Sequence, residues 1–270
     1  MIAQVAPVQQ IDPKERLLET VSASRLICFQ QCRLKFYFRY VLGLEKTKGS
    51  ALHIGSVVHA VLQLWNMTRW RKEKVEVDAM KLKFDAEWTE GQENEPIVWD
   101  PNEEDESKAT AWGLLETYFQ RTPIPLDEMP EGVEVSVEAD LSKHSLPKLV
   151  GIIDLVRKGG RIVEFKTAGQ TPNPEKAEHI HETQTSCYSV MYREATGKNE
   201  SAVELHHLVK LKAPKLVITP LNPMTQQQQS RLFRIMESYV NGIQNEDWIP
   251  SPNIMSCSCC EFFNECRAWK

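Results

Sequence analysis

The feature that most constrains the fold is a pair of apolar segments that carry two carboxylates and a lysine. The segments are residues 149–156 (LVGIIDLV) and 161–167 (RIVEFKT), and the four residues between them include two glycines. Apolar β-branched residues flank Asp154 and Glu164, and this composition is typical of strands. The two segments therefore predict a β-hairpin that carries acidic and basic side chains.

The length of the turn decides which of these side chains share a face of the hairpin. A strict two-residue loop formed by the glycines pairs Asp154 with Phe165, and it puts Asp154 and Glu164 on opposite faces. A three-residue loop, 159–161, pairs Asp154 with Lys166, so that all three functional side chains share one face. Glycine readily adopts the left-handed conformation that such a loop requires. We therefore predict the longer loop, or a bulge.

Asp154, Glu164 and Lys166 form the set that metal-dependent phosphodiester hydrolysis needs. Carboxylates supply hard oxygen ligands for Mg²⁺ or Mn²⁺, which neutralises charge on the reacting phosphate. Lys166 lies two residues after Glu164, so both side chains leave the same face of the strand and the ammonium can act in catalysis. The alternative is a solvated hairpin with a common E-x-K pair. Glu138 is either a further acid near the site or an outward-facing residue.

Apolar spacing along the rest of the chain predicts helices before the hairpin and an α/β pattern after it. Ser22 or Ser24 can cap a first helix that ends near Gly43. The other predicted helices cover residues 54–70, 75–90, 105–121, 175–196 and 224–243, and further strands cover 133–141, 202–211 and 215–221. This pattern predicts an α/β fold with a mixed central sheet flanked by helices.

At 270 residues the chain can form one large domain or two small ones. We predict a flexible leader at residues 1–21 and a single domain at residues 22–270. Residues 50–130 form a helical addition before the catalytic strands, and residues 257–270 form a C-terminal cysteine segment. No stretch approaches the apolar length of a membrane span and the N-terminus does not match a signal peptide, so we expect a cytoplasmic protein.

Seven cysteines form the second strong pattern. Cys257, Cys260 and Cys266 lie within ten residues, and Cys32 lies far upstream. Cytoplasmic thiols serve metals or cores, and the C-x-x-C spacing suits both Zn²⁺ and iron–sulfur clusters. The other three have separate predicted roles: Cys259 is an alternate for Cys260, Cys28 competes with Cys32, and Cys187 belongs to the core.

Five separated motifs resemble, in their order, those of the RecB-like branch of the PD-(D/E)xK nuclease superfamily, which includes AddAB-type helicase–nucleases and CRISPR-associated RecB-like exonucleases. They are SASRLICFQQCRLKFYFRYVLGL with Cys32, GSVVHAVL with His59, GIID with Asp154, EFK with Glu164 and Lys166, and Gln184-x3-Tyr188. Arg33 stands where the family usually has proline. The resemblance covers most of residues 22–270, and it implies a restriction-endonuclease-like fold with Mg²⁺- or Mn²⁺-dependent cleavage of DNA.

The resemblance also implies roles that the residues alone leave open. It makes His59 a metal ligand with Asp154 and Glu164, whereas an isolated helical histidine is more often a surface or core residue. It gives Gln184 and Tyr188 a role in positioning DNA, whereas alone they fit an amphipathic helix. It implies that a [4Fe–4S] cluster, with Zn²⁺ as the alternative, is bound by Cys32, Cys257, Cys260 and Cys266. The cluster would be a structural link between the two ends of the chain.

A basic and aromatic segment follows the leader. It contains Arg25, Arg33, Lys35, Arg39, Lys46 and Lys48, interleaved with Phe36, Tyr37, Phe38 and Tyr40. This segment supplies phosphate contacts and stacking platforms for single-stranded DNA, or it forms an amphipathic helix whose aromatic face lies in the core. The net charge of −5 argues against a general nucleic-acid coat protein but not against a local basic channel. No Walker A motif is present, so any helicase or recombination motor must be a separate chain.

The leading functional prediction is an exonuclease that acts on single-stranded DNA ends in recombination, repair or phage DNA processing. A second is a CRISPR-adaptation nuclease that trims ends before integration. A third, from a different class, is a non-catalytic DNA-binding subunit with a metal staple, and the intact acidic and basic set counts against it. The sequence leaves cleavage polarity and the choice between endonuclease and exonuclease open.

Overall fold

The computed structural model describes residues 12–47, 49–94, 97, 99–100 and 103–270. Residues 1–11 of the predicted leader and Lys48 of the basic segment therefore lie outside the described residues. The helices are α1 (Pro13–Glu19), α2 (Ala23–Gln31), α3 (Arg33–Phe36), α4 (Ser50–Trp70), α5 (Val77–Asn94), α6 (Glu103–Arg121), α7 (Pro174–Thr196), α8 (Gln226–Gln244), α9 (Ile254–Cys257) and α10 (Phe263–Ala268). Within these described ranges, no helix has the length and hydropathy needed to cross a membrane.

The strands form one mixed sheet. They are β1 (Thr20–Val21), β2 (Gly132–Ala139), β3 (Lys148–Arg157), β4 (Arg161–Ala168), β5 (Ala202–Val209) and β6 (Lys215–Leu221). The order is β1-β3-β4-β5-β6, with β2 paired to the other edge of β3. The β1–β3 and β4–β5 pairs are parallel, and the remaining pairs are antiparallel. With helices on both faces, this sheet confirms the predicted α/β fold class.

One edge of β3 is divided between two partners. β1 pairs with its first residues, Lys148 and Leu149, whereas β4 pairs with residues 155–157 at its far end. Because β2 occupies the opposite edge along most of β3, the intervening residues face an opening between β1 and β4. Asp154 lies at the end of this opening, where β4 begins to pair.

Two layers of helices bury the two faces of the sheet. On one face, residues of α2, α7 and α8 form a core with Ile153, Ile162 and Leu205. On the other face, residues of α4, α5 and α6 form a second core with Leu155 and Val163. The segment predicted to be a helical addition therefore covers one side of β3 and β4.

Two expectations for the N-terminal region need correction. The first predicted helix is interrupted at Cys32, whose backbone is extended (φ −165°, ψ 114°) and whose Sγ accepts a hydrogen bond from the Lys35 N–H at 3.5 Å. This change of direction separates α2, which Ser22 caps, from α3. The leader is shorter than predicted, because residues 13–21 form α1 and β1 and the side chain of Leu17 is buried.

The turn between β3 and β4 has three residues, but it lies one position earlier than predicted, because Arg157 pairs with Arg161. Extending this register places Asp154 opposite Glu164, not opposite Lys166. The pairing differs from the prediction by two residues, so the same side chains still share a face. Both glycines of the turn have positive φ angles, which is the conformation that the three-residue loop requires.

The two glycines of this turn give a matched test. Both have positive φ, at which a Cβ costs about 1–2 kcal/mol, but a methyl group at Gly160 would also overlap the Tyr192 hydroxyl, while Gly159 faces open space. We expect Gly159→Ala to lower the free energy of unfolding by about 1 kcal/mol and Gly160→Ala by about 2–4 kcal/mol. Urea unfolding measures both values, and equal losses would show that Tyr192 does not restrict the turn.

Candidate active site

The main chain of Phe165 holds two of the predicted metal ligands. Ladder pairing between β3 and β4 ends at Leu155 and Val163, so Phe165 has no backbone partner on β3. Its N–H donates to Asp154 Oδ2 at 2.9 Å, and its carbonyl oxygen lies 3.1 Å from His59 Nε2. A neutral His59 ring that donates from Nε2 leaves Nδ1 free, and Nδ1 lies 3.6 Å from Asp154 Oδ2.

His59 has the surroundings of a metal-binding histidine. Such histidines usually donate their second ring N–H to a carbonyl or a carboxylate, as the ring of His59 can to Phe165. Burial lowers the pKa of His59, but the Asp154 carboxylate outweighs this effect, and the net pKa lies above its usual value. The helix is anchored on the sheet by four buried residues of α4: Val57, Val58, Val61 and Leu62.

A third group, Glu134, joins His59 and Asp154. One ligand atom of each residue lies within 4.8 Å of the others. Glu134 is opposite Asp154 in the register of β2 on β3, and its φ of 48° is uncommon for a glutamate in a strand. Backbone strain of this kind costs on the order of 1–3 kcal/mol and is concentrated at functional sites. The strained residue is therefore part of the candidate metal centre.

Sequence reasoning missed Glu134 and named Glu138 instead. The register of β2 depends on the connection to β3, which includes a short 3₁₀ turn at Ser142–His144 that no pattern indicated. Glu138 forms an ion pair with Lys148 at 3.1 Å, and 65% of its side chain is exposed. The outward-facing alternative therefore describes Glu138.

The site concentrates negative charge in a partly buried place. Burial raises the pKa of Glu134 to about 7, the Asp154 carboxylate adds to this effect, and His59 opposes it. Burial also raises the pKa of Glu164, again with a contribution from Asp154 and against the charge of Lys166. A divalent cation at this position would stabilise all three ionised carboxylates and reverse these shifts.

Glu164 lies in a hydrogen-bond network with Lys166, Gln184 and Tyr188. Its Oε1 accepts from Lys166 Nζ and from Gln184 Nε2, each at 2.7 Å. Gln184 Oε1 accepts a second bond from Lys166 Nζ at 2.7 Å, and Gln184 Nε2 also donates to the Tyr188 hydroxyl at 2.8 Å. Gln184 and Tyr188 therefore contact the predicted catalytic residues directly.

The donors of this site fit a hard divalent cation. Glu164 Oε2 is buried and has no hydrogen-bond partner in the described part of the chain. An unpaired buried carboxylate oxygen is costly, and a cation is a suitable partner for it. Carboxylate oxygens from Glu134 and Asp154 with one imidazole nitrogen from His59 match the ligands that Mg²⁺ and Mn²⁺ accept.

The four predicted cluster cysteines line a second site. Cys32, Cys257, Cys260 and Cys266 surround one pocket, together with apolar side chains that include Phe262. Burial raises the pKa of Cys266, and the three neighbouring thiols raise it further. The interruption of the helix at Cys32 therefore brings the N-terminal thiol to the C-terminal cysteine segment.

The remaining cysteines lie apart from the lining of this pocket. Cys28 is buried, burial raises its pKa to about 11, and it does not line this pocket. Cys259 is exposed, and its Sγ donates to the Met255 carbonyl oxygen. Cys187 is fully buried on α7, which confirms its predicted place in the core.

The basic and aromatic segment forms ion pairs and packing contacts within the protein. Arg33 forms an ion pair with Asp247, Lys35 and Arg39 with Glu261, and Lys46 with Glu265. Phe36 and Phe38 are buried, and Tyr37 and Tyr40 pack against this core. The prediction of a DNA-stacking platform is therefore wrong, and the alternative of an amphipathic segment with its aromatic face in the core is correct. Three of these ion pairs join the segment to the C-terminal cysteine segment.

Glu134 and Glu138 provide a matched test of the metal centre. We expect Glu134→Gln to lower the affinity for Mn²⁺ by about tenfold or more, because it removes an ionised ligand while keeping the side-chain volume. Glu138→Gln, on the same strand, should bind Mn²⁺ like the unchanged protein. Isothermal titration calorimetry measures both affinities, and equal affinities would remove Glu134 from the site.

Comparisons with known proteins agree with this geometry. In fold, the chain is similar to the crystal structure of a candidate exonuclease from Eubacterium rectale, with a TM-score of 0.65 and 15% identity over 97% of this chain and 95% of that one. No curated protein matches the chain significantly in sequence. The profile of the PD-(D/E)XK nuclease superfamily matches residues 20–267, a range that includes both groups of site residues. The chain therefore belongs to the PD-(D/E)XK nuclease superfamily.

Proposed function

We propose that the chain is a Mg²⁺- or Mn²⁺-dependent DNA nuclease of the RecB-like branch of this superfamily. One observation carries the proposal: ligand atoms of His59, Glu134 and Asp154 lie within 4.8 Å of one another, beside the Glu164–Lys166 pair. A non-catalytic DNA-binding subunit would not need a strained glutamate and a buried lysine–carboxylate pair at this position.

In this proposal His59, Asp154 and Glu164 hold the cation together with Glu134. The cation supplies positive charge that stabilises the negative charge developing on the phosphate. Lys166 donates two N–H groups to Glu164 and Gln184. Its third N–H can donate to the attacking water or to a phosphate oxygen. Gln184 fixes the positions of Glu164 and Lys166, so we assign it a positioning role.

We further propose exonuclease activity on single-stranded ends, in recombination, repair or phage DNA processing. The fold similarity to the candidate exonuclease from Eubacterium rectale supports this class of activity. Two exposed aliphatic side chains also support contact with unstacked bases: Ile152, two residues before Asp154, and Ile180, one turn before Gln184. End-labelled single and double strands, with free and blocked ends, test this proposal, because an exonuclease must stop at a blocked end.

For the second site we propose a structural [4Fe–4S] cluster bound by Cys32, Cys257, Cys260 and Cys266. The four cysteines line one pocket, and four thiolates suit either a cubane cluster or a tetrahedral Zn²⁺. The resemblance of the opening and closing cysteines to those of the RecB-like branch favours the cluster.

The catalytic assignment predicts separate effects for the two kinds of residue. Asp154→Ala should abolish cleavage by removing a metal ligand, while Lys166→Ala should lower kcat about 10²- to 10³-fold. Lys158→Ala, in the exposed turn of the same hairpin, is the control and should keep full activity. Single-turnover cleavage with Mg²⁺ or Mn²⁺ measures these rates. Full activity in purified Lys166→Ala protein would contradict the assignment.

The cluster assignment predicts protein that is brown when purified without oxygen, with about four irons per chain. Cys32→Ala and Cys260→Ala should both lower iron content and soluble yield, because each removes one of four ligands. Cys259→Ala is the matched control and should keep its iron, since Cys259 is exposed outside the pocket lining. Iron analysis and visible absorption measure the outcome, and colourless protein with one zinc would show that the metal is different.

A further inference from the structure

Two histidines lie beside Lys166, across β4 from the Asp154 carboxylate. His207 on β5 pairs in register with Lys166 on β4, so both side chains leave the same face of the sheet. The ring of His181 on α7 packs against the ring of His207, with 5.5 Å between the centroids. His181 lies one turn before Gln184, which binds Lys166. The polar surface therefore continues from the metal centre through Lys166 to these two rings.

One ring nitrogen of His207 lacks a partner that its burial calls for. Only 3% of the residue is exposed, and its Nδ1 has no hydrogen-bond partner in the described part of the chain. Buried polar atoms in folded proteins nearly always have a partner, and exceptions are often found where a ligand binds. His181 is only half-buried, so the pair is accessible from its side.

The charge around the two rings selects the kind of ligand. Burial lowers the pKa of His181 to about 4, and the neighbouring Lys166 and His207 lower it further. Burial and Lys166 also lower the pKa of His207, so both rings are neutral and each offers one N–H donor. The ammonium of Lys166, although paired with Glu164, disfavours a cation at the two rings, and their N–H groups favour a ligand with oxygen acceptors. An anion with oxygen acceptors therefore fits the position.

We propose that Lys166, His181 and His207 form a phosphate-binding subsite next to the metal centre. The subsite binds a phosphate of the DNA strand other than the one being cleaved, either the neighbouring internal phosphodiester or a terminal phosphate. In the His207 tautomer that carries its proton on Nδ1, an oxygen of this phosphate accepts from that N–H and from the His181 N–H. The inference rests on the proposed nuclease function. It assigns to the subsite the role of positioning the DNA strand at the metal centre.

Variants of three histidines test the subsite. His181→Ala should weaken binding of a short single-stranded oligonucleotide by about tenfold, the effect of losing one hydrogen bond to a charged group. His207→Gln, which keeps a polar side chain at the buried position, should weaken it by a similar factor. His179→Ala is the matched control, because His179 lies on the same helix and is exposed. Fluorescence anisotropy with Ca²⁺ gives the affinities, and steady-state cleavage should show a raised KM with kcat retained.

Three oligonucleotides identify which phosphate is bound: one with a 5′-phosphate, one with a 5′-hydroxyl, and one with a neutral methylphosphonate linkage beside the cleaved bond. Either the terminal phosphate or the charge of one internal linkage is removed in these oligonucleotides. The removal that weakens binding to the unchanged protein, but not to His181→Ala, identifies the phosphate that the subsite binds. Equal affinities for His181→Ala and His179→Ala would overturn the subsite, while cleavage by the unchanged protein would leave the nuclease function intact. Failure of the unchanged protein to bind or cleave DNA would instead overturn the nuclease function.

Discussion

The early end of the β3–β4 ladder is the constraint on which the candidate active site depends. If pairing continued beyond Leu155 and Val163, the Phe165 N–H and carbonyl would bind the backbone of β3. Because pairing stops there, the same two groups bind the side chains of Asp154 and His59. The main chain of one residue thus fixes one ligand from the sheet and one from α4, and the metal centre forms where the sheet opens.

This arrangement requires the buried charge of Glu164 to be balanced by specific partners. Ionised carboxylates are costly to bury unless they are paired and hydrogen-bonded. Lys166 and Gln184 satisfy one oxygen of Glu164, and the other faces the proposed cation. Without the cation, the raised pKa values of Glu134 and Glu164 show that the site favours protonation. Cation binding and deprotonation are therefore linked, so metal affinity should fall as the pH drops below about 7.

The sequence predicted the five longer strands, the long helices and the α/β class, because strand alternation and helical spacing are local properties. It did not predict features that depend on contacts distant in sequence. The break at Cys32 brings its thiol to the C-terminal pocket, and Glu134 is defined by its register against Asp154. The turn of the hairpin was placed one residue late, because either position accommodates the glycines. Carboxylates that are distant in sequence form ion pairs with the basic segment, and these contacts decide between its two interpretations. No local pattern predicted which carboxylates would lie next to the segment.

Because the basic and aromatic segment makes its contacts inside the fold, DNA affinity must come from other parts of the protein. Arg33, Lys35, Arg39 and Lys46 are engaged by carboxylates, and two of those carboxylates, Glu261 and Glu265, belong to the cysteine segment. These four cations therefore hold the two ends of the chain together, in parallel with the proposed cluster, and are not free to release counterions from DNA. With a net charge of −5, the protein has little general attraction for phosphate. In the proposed function, Lys166 and the cation add positive charge at the site itself, which links DNA binding to metal binding.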